Sequence, residues 1–364
     1  MKNLLLDYDK CLDCSKCMKG CLLLDEFTSS PKSLLKEMKG TRSLENITFS
    51  CASCNYCQSV CPEDISFKKH FSKAKKEYAK SDDILNNYGY KSVLFHQKNS
   101  FSKYFTSKTK FTKGEFKNMA FMPGCALSSY SPKIVKSIYT HLKELLPGIG
   151  VIQQCCGMPT RTLGDMKRFD KLYSYLEVDL EYMGCDTVVT ACENCYMSIK
   201  ELSPHIKVKS LYEVLDSIEL PKFTTKAYVD IPKVALHDPC PTRYESILHV
   251  SVRNLMDKLG LRYEEFKNSK EKTECCGSGG MLELTNPKLA LKQIKNRANQ
   301  TKCDTIVSYC QSCSESMSKG GKNGVHILDL IFDENMKEKM KQKKKGTVKK
   351  WFNRYVSKKM IDKL

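Results

Sequence analysis

The front part of the chain has the hydrophobic pattern of helices. Residues 63–80 contain neither Gly nor Pro and place Ile65 and Phe71 among lysines. Apolar residues spaced in this way lie on one face of a helix. An earlier segment opens with Pro31, a residue that suits the first position of a helix. We therefore predict an α-helical domain over residues 1–80.

From residue 119 onwards, short apolar runs alternate with helical stretches, and this alternation occurs twice. The runs are typical of buried strands, and the stretches between them repeat apolar residues at spacings of about four. Strands that alternate with helices form parallel α/β sheets. We therefore predict two α/β repeats, residues 119–220 and 221–332, related by a pseudo-twofold axis. The runs begin at Met119, Val151, Thr187, Val234, Leu261 and Thr305, and the predicted helices cover 133–146, 165–183, 249–260 and 287–300.

Cysteines follow the same duplication. The first repeat has the spacing C-x29-CC-x35-C-x2-C and the second has C-x34-CC-x33-C-x2-C. Two copies of a multi-cysteine pattern indicate a duplicated fold with one site in each copy. Both sets fall just after predicted strands, at the sheet edge where open α/β sheets bind their ligands. The sets are Cys125, Cys155, Cys156, Cys192 and Cys195, and Cys240, Cys275, Cys276, Cys310 and Cys313.

Two adjacent cysteines followed by glycine suit a turn. In a strand the two side chains would point to opposite faces, whereas a turn closed by glycine lets both sulfurs face one object. A disulfide between the neighbours would be strained. Five thiolates are one more than a tetrahedral zinc or a cubane cluster takes. Either one cysteine is spare, or one sulfur bridges irons in a less regular cluster, and we favour the second interpretation.

The helical front part carries eight further cysteines in two groups. Each group has the spacing C-x2-C-x2-C-x3-C of bacterial ferredoxins, in which the fourth cysteine binds the other cluster. Zinc is disfavoured because ordinary zinc sites are spaced differently. The predicted ligands of one [4Fe-4S] cubane are Cys11, Cys14, Cys17 and Cys61, and those of the other are Cys51, Cys54, Cys57 and Cys21.

The duplicated pattern resembles the paired cysteine-rich (CCG) domain of the heterodisulfide reductase catalytic subunit. It also resembles the iron–sulfur subunits of glycolate oxidase, lactate-utilisation and anaerobic glycerol-3-phosphate dehydrogenase systems. The resemblance covers about residues 119–330 and, with the ferredoxin pattern, nearly the whole chain. It implies one or two non-cubane [4Fe-4S] clusters, each held by five cysteines, with zinc in one CCG site of some relatives. Pro241 departs from the pattern, since relatives often have histidine there.

The same resemblance implies an iron–sulfur electron-transfer subunit of an oxidoreductase complex. Its partner would be a flavoprotein dehydrogenase subunit, and its acceptor quinone, ferredoxin or another carrier. A second hypothesis is a heterodisulfide-reductase-like enzyme that cleaves a disulfide or related bond at a CCG cluster. A third is a zinc or nucleic-acid-binding module without a redox role. Whether catalysis occurs on this chain stays open, and we assign no catalytic residue.

The net charge of +19 changes this picture little. The excess is concentrated: residues 333–364 have twelve Lys/Arg against four Asp/Glu, and residues 91–118 have seven Lys against one Glu. A [4Fe-4S] cluster with four thiolates carries a charge of about −2, which offsets part of the remainder. We expect no nucleic-acid partner. Twenty cysteines, no apolar run of about 18 residues and no secretory signal over residues 1–7 predict a cytoplasmic metal protein.

Two basic segments surround the repeats. Residues 81–118 are predicted to be a linker whose aromatic residues contact the neighbouring domain, although aromatics among lysines also suit nucleic acid. The tail, residues 333–364, is predicted to form a basic amphipathic helix. Such a helix suits an anionic membrane surface, at the inner face of the membrane, or a docking groove; alternatively it folds back on the core. The linker aromatics are Phe95, Phe101, Tyr104, Phe105, Phe111 and Phe116.

Several residues near the motifs allow two interpretations. His237 and Asp238 are either a proton donor pair beside a cluster or a core pair. Arg161 and Arg243 either balance cluster charge or are surface residues. Two further thiols precede predicted strands and are predicted to be buried structural residues rather than ligands; they are Cys185 and Cys303.

Overall fold

The chain is described here by a computed structural model that covers residues 7–38, 44–109, 113–340 and 346–364. A helical front part is followed by two α/β repeats, in the predicted order. None of the helices within these residues has the length and apolar character needed to cross a lipid bilayer.

Short helices build the front part. The predicted helix over residues 63–80 is observed as Phe67–Tyr78. It begins where Ser66 Oγ accepts the N–H of Lys69 at 3.2 Å, a side-chain cap that satisfies a free backbone donor. The helices are α1 (Leu22–Phe27), α2 (Pro31–Glu37), α3 (Glu45–Phe49), α4 (Tyr56–Ser59), α5 (Phe67–Tyr78), α6 (Asp82–Asn87) and α7 (Tyr90–Ser100), and residues 7–10 are also helical.

The first repeat contains a five-stranded sheet in the order β1-β3-β2-β4-β5. Strand β1 comes from the linker and runs antiparallel to β3, whereas the other pairs are parallel. The strands are β1 (Ser107–Lys108), β2 (Met119–Met122), β3 (Gly150–Gln153), β4 (Thr187–Thr190) and β5 (Lys207–Ser210). The helices are α8 (Gly124–Tyr130), α9 (Pro132–Leu145), α10 (Met158–Leu163), α11 (Met166–Tyr182), α12 (Glu193–Leu202) and α13 (Leu211–Ser217).

The second repeat contains a parallel four-stranded sheet in the order β7-β6-β8-β9, which matches β3-β2-β4-β5 strand for strand. The strands are β6 (Val234–His237), β7 (Tyr263–Glu265), β8 (Thr305–Ser308) and β9 (Asn323–His326). The α-helices from here to the end of the chain are α14 (Ser246–Lys258), α15 (Leu282–Thr285), α16 (Pro287–Ala298), α17 (Gln311–Lys319), α18 (Ile327–Phe332), α19 (Met336–Lys339) and α20 (Thr347–Ile361), and 3-10 turns cover Lys222–Thr224, Cys240–Thr242, Lys270–Lys272 and Gly279–Met281.

Besides β1 of the linker, two strands were not predicted from the sequence, β5 and β9. Their sequences, Lys-Val-Lys-Ser and Asn-Gly-Val-His, lack the apolar run that marks the central strands. Each lies at the edge of its sheet. Strand propensity is weak evidence where packing against neighbours decides the conformation.

The two repeats share one hydrophobic core. Phe121 of β2 and Leu236 of β6 belong to the same buried cluster. Tyr212 Oη donates a hydrogen bond of 2.7 Å to the carbonyl oxygen of Tyr309, so a buried polar contact also joins the repeats. The two sheets therefore form one packed body.

The helical front part is fastened to the second repeat. The buried guanidinium of Arg243 donates to the Cys54 carbonyl at 2.8 and 3.1 Å and to the Thr273 carbonyl at 3.0 Å. At Gly280 (φ +66°) a Cβ would lie 2.3 Å from the Cys51 carbonyl oxygen. Only glycine allows this close approach of the two backbones.

The linker packs on its neighbours through aromatic rings. The ring centroids of Phe105 and Trp351 are 4.9 Å apart, and those of Phe101 and Tyr175 are 6.2 Å apart. Both contacts agree with the favoured interpretation of this segment. Phe111 lies outside the described residues.

The C-terminal helix α20 folds back on the first repeat, against α8 and α9. Its buried face is largely polar: Asn353 Nδ2 donates to the Ser129 carbonyl at 2.9 Å, and Arg354 is 1% exposed. By contrast, Val348 is 84% and Phe352 is 55% exposed. Part of the apolar stripe of the tail therefore faces away from the core, whereas Ile361 packs into it and Trp351 contacts Phe105 of the linker.

Candidate metal sites

Two loops of the helical part each fold around a cavity lined by cysteines. The first cavity encloses about 370 Å³, including its open mouth, and the second about 540 Å³. Cys57 lines both cavities, so the two are adjacent. Cys11, Cys14, Cys17 and Cys61 line the first cavity, and Cys21, Cys51, Cys54 and Cys57 line the second.

The same backbone geometry recurs in both loops. Asp13 and Ser15 in the first loop, and Ser53 and Asn55 in the second, have φ between +51° and +62°. This left-handed conformation costs roughly 1–3 kcal/mol for each non-glycine residue and is typical of functional loops. It turns backbone donors inward, since the Ser53 N–H donates to Cys51 Sγ at 3.4 Å.

The fourth cysteine of each loop reaches the site of the other loop. Burial, and then the charge of Cys61, raises the pKa of Cys17 to about 12. Burial, and then the charge of Cys54, raises the pKa of Cys21 well above its usual value. The structure thereby brings together the two crossed sets of four that the spacing predicts. Thiols that resist ionisation alone are deprotonated by a bound metal.

We call the five cysteines of the first repeat site 1. Cys125 opens α8 directly after β2, Cys155 and Cys156 follow β3, and Cys192 follows β4. The Cys155 thiol lowers the pKa of Cys125 to about 6, and the Cys195 thiol lowers that of Cys156. These interactions place the thiols side by side at the carboxyl edge of the sheet.

We call the five cysteines of the second repeat site 2. Cys276 and Cys313 have their Sγ atoms 3.3 Å apart, and the Gly277 N–H donates to Cys275 Sγ at 3.2 Å. Gly277 has φ +89°, and a Cβ there would lie 2.5 Å from Ile294 Cγ1. The positive φ and the lack of room for a Cβ both require glycine at the position that closes the paired-cysteine turn.

A histidine lies at each of these sites. The ligand atoms of His237, Cys276 and Cys313 all lie within 4.8 Å of one another. The ligand atoms of His96, Cys125 and Cys155 do so as well. His96 belongs to the linker helix α7, and no sequence motif marked it. Burial, and then the nearby Arg354, lowers its pKa to about 4.

Site 2 directly adjoins the second ferredoxin loop. Cys275 is part of the wall of the cavity formed by Cys21, Cys51 and Cys54. Its thiol interacts with that of Cys54 and lowers the Cys54 pKa to about 6. The charge of Cys54 also raises the pKa of Cys240, after burial as the larger cause. Ligands of two predicted centres therefore touch.

Sites 1 and 2 meet at a buried carboxyl group. Glu193, inside the Cys192-x2-Cys195 motif, is 3% exposed and interacts with Cys310 of site 2. Burial, and then the charge of Cys192, raises its pKa well above the usual range. The buried Tyr212 lies near Cys192 and Cys310 alike. The two CxxC motifs thus face a common region.

Buried arginines bring positive charge to three of the sites. Arg354 of α20 lowers the pKa of Cys125, after the larger effects of Cys155 and burial. Its Nε makes no hydrogen bond within the described residues. Arg243 lowers the pKa of Cys54 and of Cys240. Arg243 thus lies where it could balance the charge of a cluster, and it also has a structural role.

The other candidate residues have partners elsewhere in the fold. Arg161 pairs with Glu201 at 2.5 Å and shows no contact with the paired cysteines. Asp238 accepts two hydrogen bonds from Arg253, at 2.7 and 2.8 Å, so it is engaged in a buried ion pair. His237 Nδ1 accepts from Arg297 at 3.3 Å, which makes it both a core residue and a neighbour of site 2. Cys185 and Cys303 are buried in the hydrophobic clusters that adjoin sites 1 and 2, and their structural role stays a prediction.

The donor sets fit soft metal centres. Each consists of four or five close thiols, and all twenty cysteines are free of disulfides. Soft thiolate ligands select zinc, copper(I) and iron–sulfur clusters. The crossed four-cysteine sets suit cubane clusters. Site 1 and site 2 offer five sulfurs and a histidine each.

Comparison with protein-family models assigns these regions. The model of a 4Fe-4S dicluster domain matches residues 10–66, and the model of a cysteine-rich domain matches residues 119–200 and 234–318. The chain is therefore an iron–sulfur protein with a dicluster ferredoxin domain and two cysteine-rich domains.

Its relatives include iron–sulfur subunits of oxidoreductases. The chain is 25% identical to an uncharacterized iron-sulfur protein of Methanococcus maripaludis, over 88% of this chain and 71% of the relative. It is 22% identical to a subunit of the fumarate reductase (CoM/CoB) of Methanothermobacter marburgensis, over 88% and 70%. It is 21% identical to a subunit of the dihydromethanophenazine:CoB–CoM heterodisulfide reductase of Methanosarcina barkeri, over 90% and 93%.

Proposed function

We propose that this chain is the iron–sulfur electron-transfer subunit of an oxidoreductase complex. Its domains and its relatives, which are named as subunits of such complexes, support this function. The two crossed cysteine sets would hold cubane [4Fe-4S] clusters, and sites 1 and 2 would hold the remaining centres. Bound clusters supply one-electron carriers, while the protein supplies their positions and their surroundings.

The observation that carries this proposal is the contact between Cys54 and Cys275. It joins the second ferredoxin loop to site 2. Cys57 lines the cavities of both ferredoxin loops, and Glu193 lies between site 2 and site 1. Four ligand sets thus follow one another from the first ferredoxin loop to site 1. A continuous series is what transfer between a donor and a distant acceptor requires.

The test is anaerobic reconstitution followed by iron and sulfide counting and an EPR-monitored redox titration. We expect about sixteen irons in a chain with four filled [4Fe-4S] sites, and several redox centres. Native co-purification of the tagged chain should also bring down a flavoprotein. A colourless preparation that binds only zinc would refute the proposal.

A second candidate function is reductive cleavage of a disulfide or related bond at a cysteine-rich site. It is favoured by the meeting of Cys192 and Cys310 around the buried Glu193. Reduction of a disulfide by the isolated chain, with a low-potential donor and no flavoprotein, would support this function over simple relay. The domain matches give no support to a zinc or nucleic-acid module.

We further propose that the exposed face of α20 attaches the protein to an anionic membrane surface. Val348, Phe352 and Tyr355 project from the helix, with Lys349 over the Phe352 ring and Lys359 over the Tyr355 ring. Apolar rings flanked by lysines suit the headgroup region of anionic lipids.

Co-sedimentation with vesicles tests this attachment. Binding to phosphatidylserine-containing vesicles, but not to neutral ones, should fall in Phe352→Ser/Tyr355→Ser. The control variant Ile247→Ser removes an even more exposed apolar residue, on α14, and should bind normally. Equal binding by all three proteins, or binding only to a flavoprotein, would exclude a membrane role for this face.

A further inference from the structure

Sites 1 and 2 differ in what faces their equivalent cysteines. In site 2, Cys240 and Cys275 lie next to Cys54 of the ferredoxin domain. In site 1, the equivalent pair, Cys125 and Cys155, lies next to a histidine of the linker. The duplicated sheets are alike, so this difference comes from the segments that cover them.

The linker helix α7 is anchored to the paired-cysteine turn. Gln97 Nε2 donates to the Gly157 carbonyl at 3.2 Å, and Gln97 Oε1 accepts from Cys155 Sγ at 3.5 Å. Gln97 is 1% exposed, so both bonds are shielded from water. The helix therefore presents His96, the preceding residue, at a fixed distance from site 1.

The imidazole of His96 is itself held in place. Its ring centroid lies 5.5 Å from that of Trp351, and Ser100 Oγ lies 3.3 Å from Nε2 and 3.5 Å from Nδ1. Arg354 lies on the same side of the site, beside Cys125. It is 1% exposed, and its Nε makes no hydrogen bond in the described part of the chain. A buried cation without a full set of partners points to an anionic group in the site.

We propose that His96 is a nitrogen ligand of the metal centre in site 1. The ligand atoms of His96, Cys125 and Cys155 lie within 4.8 Å of one another. Metal–sulfur and metal–nitrogen bonds of about 2.3 and 2.0–2.1 Å require ligand atoms of one ion to lie slightly closer than this. The set would therefore have to contract when a metal binds. The inference rests on the proposed function, which places a metal centre in site 1.

This ligation would make site 1 chemically distinct from the two ferredoxin sites. The two ferredoxin sites offer thiols, whereas site 1 would combine thiolates with an imidazole. Replacement of thiolate by histidine raises the potential of iron–sulfur centres, as in Rieske clusters. Site 1 would therefore have a higher potential than the two ferredoxin sites.

The experiment uses full-length protein made with 15N-histidine and reconstituted anaerobically. Pulsed EPR should detect one centre with a directly bound histidine nitrogen. His96→Ala and His96→Gln should lose this coupling and keep the cubane signals, whereas the control variants His141→Ala and His237→Ala should keep it. If site 1 holds zinc, Zn K-edge X-ray absorption should detect one nitrogen ligand that is lost in the two His96 variants.

Cysteine variants of site 1 distinguish a wrong histidine ligand from a wrong metal site. If Cys156→Ser removes a metal centre while both His96 variants retain wild-type spectra and metal content, His96 is not a ligand, although site 1 is a metal site. A nitrogen coupling that disappears in His237→Ala instead would also overturn the inference. If the double variant Cys125→Ser/Cys155→Ser leaves metal content and spectra unchanged, the metal centre of site 1 and its histidine ligand are both refuted.

Discussion

At the scale of single residues, buried arginines are the side chains that most clearly balance the negative charge expected at the sites. Arg354 is 1% exposed, donates to Ser100 Oγ at 2.8 Å and lies beside Cys125. A buried cation is stable only beside compensating negative charge. Thiolates and an anionic cluster would provide that charge, so the arginine and the metal centre stabilise one another.

Arg354→Gln should lower the midpoint potential of the site 1 centre. Removal of a positive charge makes addition of an electron less favourable, by about 3 kcal/mol for a separation of roughly 6 Å and an effective dielectric constant of about 20. This corresponds to a shift on the order of 100 mV for one electron. An EPR redox titration measures it. Lys349→Gln, an exposed change on the same helix, should leave the potential unchanged.

Cys276→Ser should remove one centre and leave the others. Cys276 lies 3.3 Å from Cys313, so its loss opens the ligand set of site 2. We expect the loss of a distinct EPR signal and of about four irons, with both cubane signals retained. Cys303→Ser, which removes a buried thiol outside the site, should keep all signals. An unchanged spectrum for Cys276→Ser would rule out the five-thiolate assignment.

At the scale of elements, the turn after β6 depends on a buried ion pair. Asp238 is fully buried and accepts from Arg253 at 2.7 and 2.8 Å and from Tyr309 Oη at 2.9 Å. Although burial raises its pKa, Arg253 lowers it to about 2 in the balance. Asp238 is therefore ionised at neutral pH and fixes the strand end that carries Cys240.

Asp238→Ala should destabilise the protein by about 3–5 kcal/mol, because it leaves the buried Arg253 without one of its partners. Chemical denaturation followed by circular dichroism measures this loss. Asp216→Ala is the matched control: it removes a more exposed pair with Lys258 and should cost no more than about 1 kcal/mol. Equal losses in the two variants would contradict the structural role of Asp238.

At the scale of the whole molecule, the attachment of the ferredoxin domain decides which cysteine-rich site it serves. Arg243 and Gly280 bring the second ferredoxin loop against site 2. The linker and α20 cover the corresponding side of site 1. Similar sheets thus acquire different neighbours.

Arg243→Ala should loosen this attachment. It leaves the carbonyl groups of Cys54, Glu271 and Thr273 without this donor, at a cost of about 1–3 kcal/mol for the buried Thr273 group and less for the two partly buried groups. Hydrogen exchange over residues 51–61 and 270–276 should accelerate, and electron transfer to site 2 should slow. Arg161→Ala, which breaks a surface pair, should change neither. Hydrogen exchange at the wild-type rate in Arg243→Ala would show that other contacts hold the ferredoxin domain in place.

The sequence by itself determined the duplicated strand–helix order and the candidate ligands, with their predicted grouping into crossed fours and fives. These follow from spacing and periodicity, because a loop of fixed length limits which thiols can share one centre and a parallel sheet needs helical crossovers. Only the tertiary structure decided that Cys54 meets Cys275, that His96 faces Cys125, and that α20 buries Arg354. Those contacts join residues far apart in the chain, and their partners are chosen by packing, which no local pattern records.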